Sequence, residues 1–419
     1  GWWYYTRTVE GSQYAIRCRC PVVDTDSWTP PDLSAPESGG DQIVGEQVLL
    51  DSNVEAEGHE FFSLGAFSVS DDENLLAWSV DTTGDERYTI RIKDLRTGEV
   101  LPDEITGASA GATWSASSDG TPSHLFYTTV DDAWRPHRVW RHALGGGTDD
   151  VLVHEETDER YFVGVGRTHS EKYLLIGLSS KVTSEYRVLE ADRPEGEFRV
   201  VLPRRDGVEY SVEHAVLGDD DVFLVLHNDG ALNFELASTP VDDPGELTVV
   251  VPGSDTTRLE DVDVFARWVV LSYRRDALAR IAVMPIVTSQ DGRGHLGDPH
   301  EIDFGEELFT SGVGANAEWD PPVVRVGMGS FVTPASVFDY RIAFDADGAV
   351  DREELGLLKQ APVLGGYDPA DYEQHRTWAT ADDGTRVPVS IVCRRDVARD
   401  GSAPAVLYGY GAYEAGMDP

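Results

Sequence analysis

A short apolar core recurs along this chain at a nearly fixed interval. It reads Trp3-Tyr4-Tyr5-Thr6-Arg7-Thr8-Val9 at the start and Leu75-Leu76-Ala77-Trp78-Ser79-Val80-Asp81 at its first return. It returns again from Leu125, Leu174, Val222, Val269 and Val323. From Leu75 onward the starts lie about 50 residues apart, a spacing that signals a solenoid, a propeller or an array. The gap between Trp3 and Leu75 is longer. It contains residues 24–40, rich in Pro, Ser, Asp and Gly, which read as an insertion.

Each unit adds a second strand behind the core. Tyr88, Ile90 and Ile92 alternate with Thr89, Arg91 and Lys93, the period of a half-buried strand, and Arg96-Thr97-Gly98-Glu99 follows as a turn. Long amphipathic helices are not evident. About four short strands per unit, seven units over, predict an all-β chain folded as a seven-bladed β-propeller. One four-stranded blade cannot bury both its faces alone, so the repetition is a physical requirement. A set of β-sandwiches would not explain the period. The propeller is expected to occupy residues 1–362. Residues 363–372, with Gly365, Gly366 and Pro369, read as a linker. Beyond it, residues 373–381, 387–394 and 403–408 read as three strands opening a different sheet, with a turn at Asp382-Asp383-Gly384-Thr385.

Charge narrows the function. The chain has 75 Asp+Glu against 34 Lys+Arg, a formal net charge of −41. Nucleic acid or an anionic membrane is therefore not an expected partner, since both need a basic face. The acidity fits adaptation to high salt, or a cavity that draws in cationic substrates. The three cysteines, Cys18, Cys20 and Cys393, do not make a disulfide framework and suggest a reducing, cytoplasmic location. Cys18 and Cys20 share a strand face, but no second pair completes a metal site, so no metal is expected. No apolar run approaches membrane-spanning length. The chain starts at Gly1 rather than Met and stops soon after an apolar run, so it is expected to be truncated at both ends.

Several stretches resemble the prolyl oligopeptidase family of serine peptidases, and within it the oligopeptidase B branch. They are the opening from Gly1 to Arg19; Ser184 to Arg187 with Ala191-Asp192-Arg193-Pro194; Glu209 to His214; Gly230 to Leu236; Gly366-Tyr367-Asp368-Pro369 through Ser390; and Tyr408-Gly409-Tyr410-Gly411. The resemblance implies a seven-bladed propeller packed on its own α/β-hydrolase domain, of which residues 373–419 would be the first strands. It implies hydrolysis of short peptides after Arg or Lys, without cofactor, with the propeller restricting entry. Prolyl specificity, or a propeller that only binds, are the alternatives. Tyr410 would correspond to an oxyanion donor, because a phenol can donate a hydrogen bond to a developing negative oxygen without carrying charge. Tyr413 would line the pocket for the residue before the scissile bond. The nucleophile, its base and the orienting carboxylate are expected beyond Pro419.

Some signals are expected to be false. Gly107-Ala108-Ser109-Ala110-Gly111 matches G-x-S-x-G, but that motif needs a strand before and a helix after, and here it lies in a connection between blades before a turn at Asp119-Gly120. Gly327-Met328-Gly329-Ser330 continues an apolar strand. His59, His169, His214 and His227 read as core or loop residues. The clusters Asp71-Asp72-Glu73, Asp149-Asp150 and Asp219-Asp220-Asp221 read as solvated turns.

Overall fold

In a computed structural model, the structure describes all 419 residues except 25–27, 32–42, 44, 117–120, 148 and 413–415. Much of the expected insertion, and the turn at Asp119-Gly120, therefore lie outside the described residues. The chain packs as two compact units, Gly1–Arg204 and Arg205–Pro419.

The first unit holds four antiparallel sheets in chain order. They are Trp2–Arg7, Ile16–Pro21 and Gln47–Asp51; Ser63–Val69, Leu75–Asp81, Tyr88–Asp94 and Val100–Ala108; Ala112–Trp114, His124–Val130, Pro136–Ala143 and Val151–Glu155; and Phe162–Arg167, Tyr173–Ser179, Ser184–Glu190 and Arg199–Val200. The second unit holds three more. They are Tyr210–Leu217, Asp220–His227, Glu235–Pro240 and Thr248–Val251; Thr257–Val264, Trp268–Arg275 and Leu278–Thr288, the last paired with Gly294–Leu296 and His300–Glu301; and Thr310–Val313, Val324–Gly329, Ser336–Phe344 and Val350–Gln360. Seven meandering sheets are the seven blades of the expected propeller. Helix among the described residues is confined to Ser52–Glu55 and a short 3-10 turn at Pro369–Asp371.

The recurring apolar core falls on the second strand of every sheet but the first. Such a strand is covered on both faces, so it reads as a continuous apolar run rather than an alternation. In Tyr173–Ser179, Leu174, Ile176 and Leu178 are fully buried. The cores lie between consecutive sheets. Phe126 and Val139 of the third sheet pack with Val163, Leu174 and Ile176 of the fourth, and Val270 and Val283 of the sixth pack with Val324, Val326 and Tyr340 of the seventh. In the first sheet the core motif is the edge strand Trp2–Arg7, paired among the described residues only with Ile16–Pro21.

After the seventh sheet the chain forms a separate two-stranded hairpin, Tyr372–Thr380 with Arg386–Arg394. Its turn lies at Asp382–Thr385, where Gly384 takes φ +89°, a conformation that a side chain would strain. The third expected strand, 403–408, does not form. Val406, Leu407 and Tyr408 are exposed coil, because a strand is stable only against a hydrogen-bonded neighbour and no described strand offers one there.

Candidate functional site

The hairpin has two faces, as strand alternation requires. One docks on the sixth sheet and the segment that follows it. Gln374 donates from Nε2 to Glu306 Oε2 at 2.8 Å and to the Leu308 carbonyl at 2.9 Å. Arg376 donates from Nη2 to the Asp276 carbonyl at 2.7 Å and from Nη1 to Ser390 Oγ at 2.7 Å. Ahead of the hairpin, the Tyr367 hydroxyl donates to the Val332 carbonyl.

The opposite face carries Glu373, His375 and Cys393. Glu373 and Cys393 stand directly across the ladder, and His375 is two residues along the same strand. Arg399 reaches back over them, 2.5 Å from Glu373 Oε1 and in contact with His375 Nε2. That guanidinium holds the Glu373 carboxyl at about 2, well below the usual carboxylate range.

Beyond the hairpin, Tyr410 lies in coil between Gly409 and Gly411 and is more than half exposed. The tail is tied down at its end. Asp418 pairs bidentately with Arg274, at 2.6 and 3.0 Å, while Glu260 takes the Nε of the same arginine at 3.1 Å. The Asp418 hydrogen bonds raise the Arg274 pKa. Phe234, Arg258, Leu259 and Glu260 line a shallow pocket beside Arg274. Tyr413 lies outside the described residues.

Ser109 follows the strand Val100–Ala108, and its hydroxyl is engaged with the Thr128 carbonyl at 3.1 Å and with the Thr128 hydroxyl. A strand, Ala112–Trp114, follows it where an elbow needs a helix. A second serine stands beside an imidazole: Ser123 Oγ is 2.8 Å from His124 Nδ1, with Glu195 3.9 Å from Nε2. Burial lowers the His124 pKa. The amides of Ser123 and His124 both donate to Ser115 Oγ, so neither is available to an oxyanion. His214 and His227 are buried in the fifth sheet, as expected of core residues, and Gly327 to Gly329 lie within a strand. Cys18 and Cys20 are buried in the first sheet, and burial raises both thiol pKa values.

Two acidic clusters depart from the solvated reading. Asp71 receives a bidentate pair from Arg167, at 2.8 and 2.7 Å. Asp150 accepts from the Tyr127 hydroxyl at 2.6 Å and meets His142 Nδ1 at 2.7 Å. The other His142 nitrogen lies 3.1 Å from Asp103 Oδ1 in the neighbouring sheet. Sequence reasoning missed this buried Asp–His–Asp set, because its members are 39 and 8 residues apart and no local pattern joins them.

Residues 1–349 match the family described as "Prolyl oligopeptidase, N-terminal beta-propeller domain". The whole chain is 37% identical to "Dipeptidyl aminopeptidase BI" of Pseudoxanthomonas mexicana, covering 55% of that protein. Over 99% of its length it is 32% identical to "Protease 2" of Moraxella lacunata, again covering 55%. Among solved structures, oligopeptidase B from Leishmania major superimposes with a TM-score of 0.83 at 30% identity, over 100% of this chain and 55% of that one. The chain thus spans little more than half the length of the curated relatives it matches. With its seven antiparallel sheets and the separate hairpin that follows them, the chain belongs to the prolyl oligopeptidase family of serine peptidases.

Proposed function

We propose that the chain supplies the propeller and the opening strands of the catalytic domain in a cytoplasmic serine oligopeptidase that cuts short peptides after Arg or Lys. The observation that carries this is the Tyr372–Arg394 hairpin. It pairs with no strand of the seventh sheet, and the chain beyond it brings Tyr410 to an exposed glycine-flanked stretch. A propeller serving only as a binding module has no use for such an extension. The likeness to protease 2 and to oligopeptidase B supports the choice of branch.

In this reading a serine outside the chain attacks the scissile carbonyl, and an acyl-enzyme forms and is hydrolysed. Tyr410 donates a hydrogen bond from its phenol to the oxyanion, and Tyr413 lines the pocket for the residue before the cut. The excess of carboxylates draws in cationic peptides. The propeller admits short chains and excludes folded proteins. No cofactor is required by this chemistry.

The test uses the full-length protein with peptides differing only before the scissile bond. Cleavage after Arg and Lys should exceed cleavage after Pro, and Tyr410→Phe should lower kcat by roughly 10²–10³ with KM little changed, the cost of losing one oxyanion donor. Preference for Pro would move the protein to the prolyl-specific branch, and no turnover would leave a binding propeller. The 37% identity to a protein named dipeptidyl aminopeptidase favours a second reading, release of dipeptides from free amino termini. Acetylating the substrate amine separates the two, since it abolishes that reaction and spares internal cleavage.

A further inference from the structure

We propose that Glu373, His375 and Cys393 form a binding site for a borderline-soft divalent cation of the zinc class. The site is set by strand geometry. Cross-strand pairing brings the Glu373 carboxylate and the Cys393 thiol together, and the two-residue repeat places His375 on their face. Gln374 and Arg376 turn the other way and fasten the hairpin to Glu306 and the Asp276 carbonyl, so the ligand face is presented outward on an anchored element.

The spacings suit one ion. Ligands at the corners of a tetrahedron about 2.0–2.3 Å from zinc lie about 3.3–3.8 Å from one another. Glu373 Oε1 is 3.6 Å from Cys393 Sγ and 3.4 Å from His375 Nε2. All three ligand atoms fall within 4.8 Å of one another. A cation already stands at their focus, because Arg399 contacts both Glu373 Oε1 and His375 Nε2. A guanidinium can only donate, so at this contact Nε2 presents its lone pair, the form in which imidazole binds metal. Nε2 cannot at the same moment donate to Glu373, and the closer contact is with Arg399.

Arg399 is readily displaced. Its side chain is 62% exposed, and an exposed ion pair contributes little to stability. Thiolate and imidazole select zinc, cobalt or copper over magnesium and calcium. Three protein ligands leave a fourth position for water. The expectation of no metal rested on Cys18 and Cys20; the cysteine that meets a histidine and a carboxylate is the third one.

The test uses the untagged full-length protein, stripped with chelator and titrated with zinc alone or with cobalt(II) as a coloured substitute. One equivalent of cobalt should produce a thiolate charge-transfer band. Cys393→Ser should abolish the band, and His375→Ala should weaken binding by more than about tenfold, the loss expected when even an outer-shell partner is removed. Arg399→Ala should bind more tightly than the parent, a gain that misfolding cannot imitate. Zinc should slow alkylation of Cys393 and leave the buried Cys18 and Cys20 unaffected. No band, a band surviving Cys393→Ser, or no tightening in Arg399→Ala overturns the proposal.

Discussion

Tyr5, Tyr127, Tyr273 and Tyr340 each give their hydroxyl to a carboxylate. The partners are Glu46, Asp150, Glu301 and Glu353, with distances of 2.6 Å for the first, second and fourth. With 75 acids against 34 basic residues, not every carboxylate can take a cation of its own, and a phenol is a donor that adds no charge; Glu46 and Glu301 each also hold an arginine, Arg7 and Arg275. Burial, then the carboxylate partner, raises the pKa of all four tyrosines. The sign of the pH effect follows. Above pH ~10 an unfolded tyrosine loses its proton while the folded one keeps it, so the native state binds more protons and stability falls as pH rises. Below pH ~10 the contribution is fully present. The expected outcome is alkaline destabilisation beginning near pH 10, at most about 1.4 kcal/mol per pH unit for each buried tyrosine. Tyr340→Phe should flatten that slope in urea melts between pH 9 and 11. An unchanged slope would mean that the Tyr340–Glu353 pair does not govern it.

The hairpin is the element on which the functional reading turns, and Gln374 and Arg376 are its latch. Removing both side chains loses hydrogen bonds to Glu306, Leu308 and Asp276. At about 1 kcal/mol net for each latch residue, the hairpin should open roughly thirtyfold more often. Thermolysin should then cut within 361–371 correspondingly faster in Gln374→Ala/Arg376→Ala, read by fragment mass. Unchanged cutting would place the anchorage elsewhere, at Tyr367 or Asp418. The hairpin was legible in the sequence because alternation and an Asp-Asp-Gly turn are local signals. The blades were legible for the same kind of reason, since a strand covered on both faces shows a continuous apolar run. Residues 403–408 show why the rest was not. Composition there is strand-like, but a strand exists only when a partner edge is beside it. Asp71 with Arg167 makes the same point for the acidic corners, because the pair joins positions 96 residues apart. At the candidate site the sequence suggested Tyr410 but not the meeting of Glu373, His375 and Cys393, which depends on the register of two strands.

For the whole molecule the governing quantity is the net charge of −41. Two electrostatic terms oppose each other as salt is added. Exposed ion pairs such as Arg96–Asp94 and Arg160–Asp158 weaken, but each is worth only about 0–1 kcal/mol. Repulsion among the surplus carboxylates is also screened, and it acts across the entire surface. Carboxylates without a cation ionise in their ordinary range, about pH 4, so the surplus is fully present at neutral pH. With acids outnumbering bases by more than two to one, the repulsive term dominates. The melting temperature should therefore rise with potassium chloride from 0.05 M upward, most steeply while the screening length is falling through ~10 Å near 0.1 M. The rise should shrink on titration toward pH 4.5, close to the sequence pI of about 4.4, where the surplus is neutralised. A melting temperature that falls with salt at pH 7 would show that paired charges, rather than the unpaired excess, set the stability of this fold.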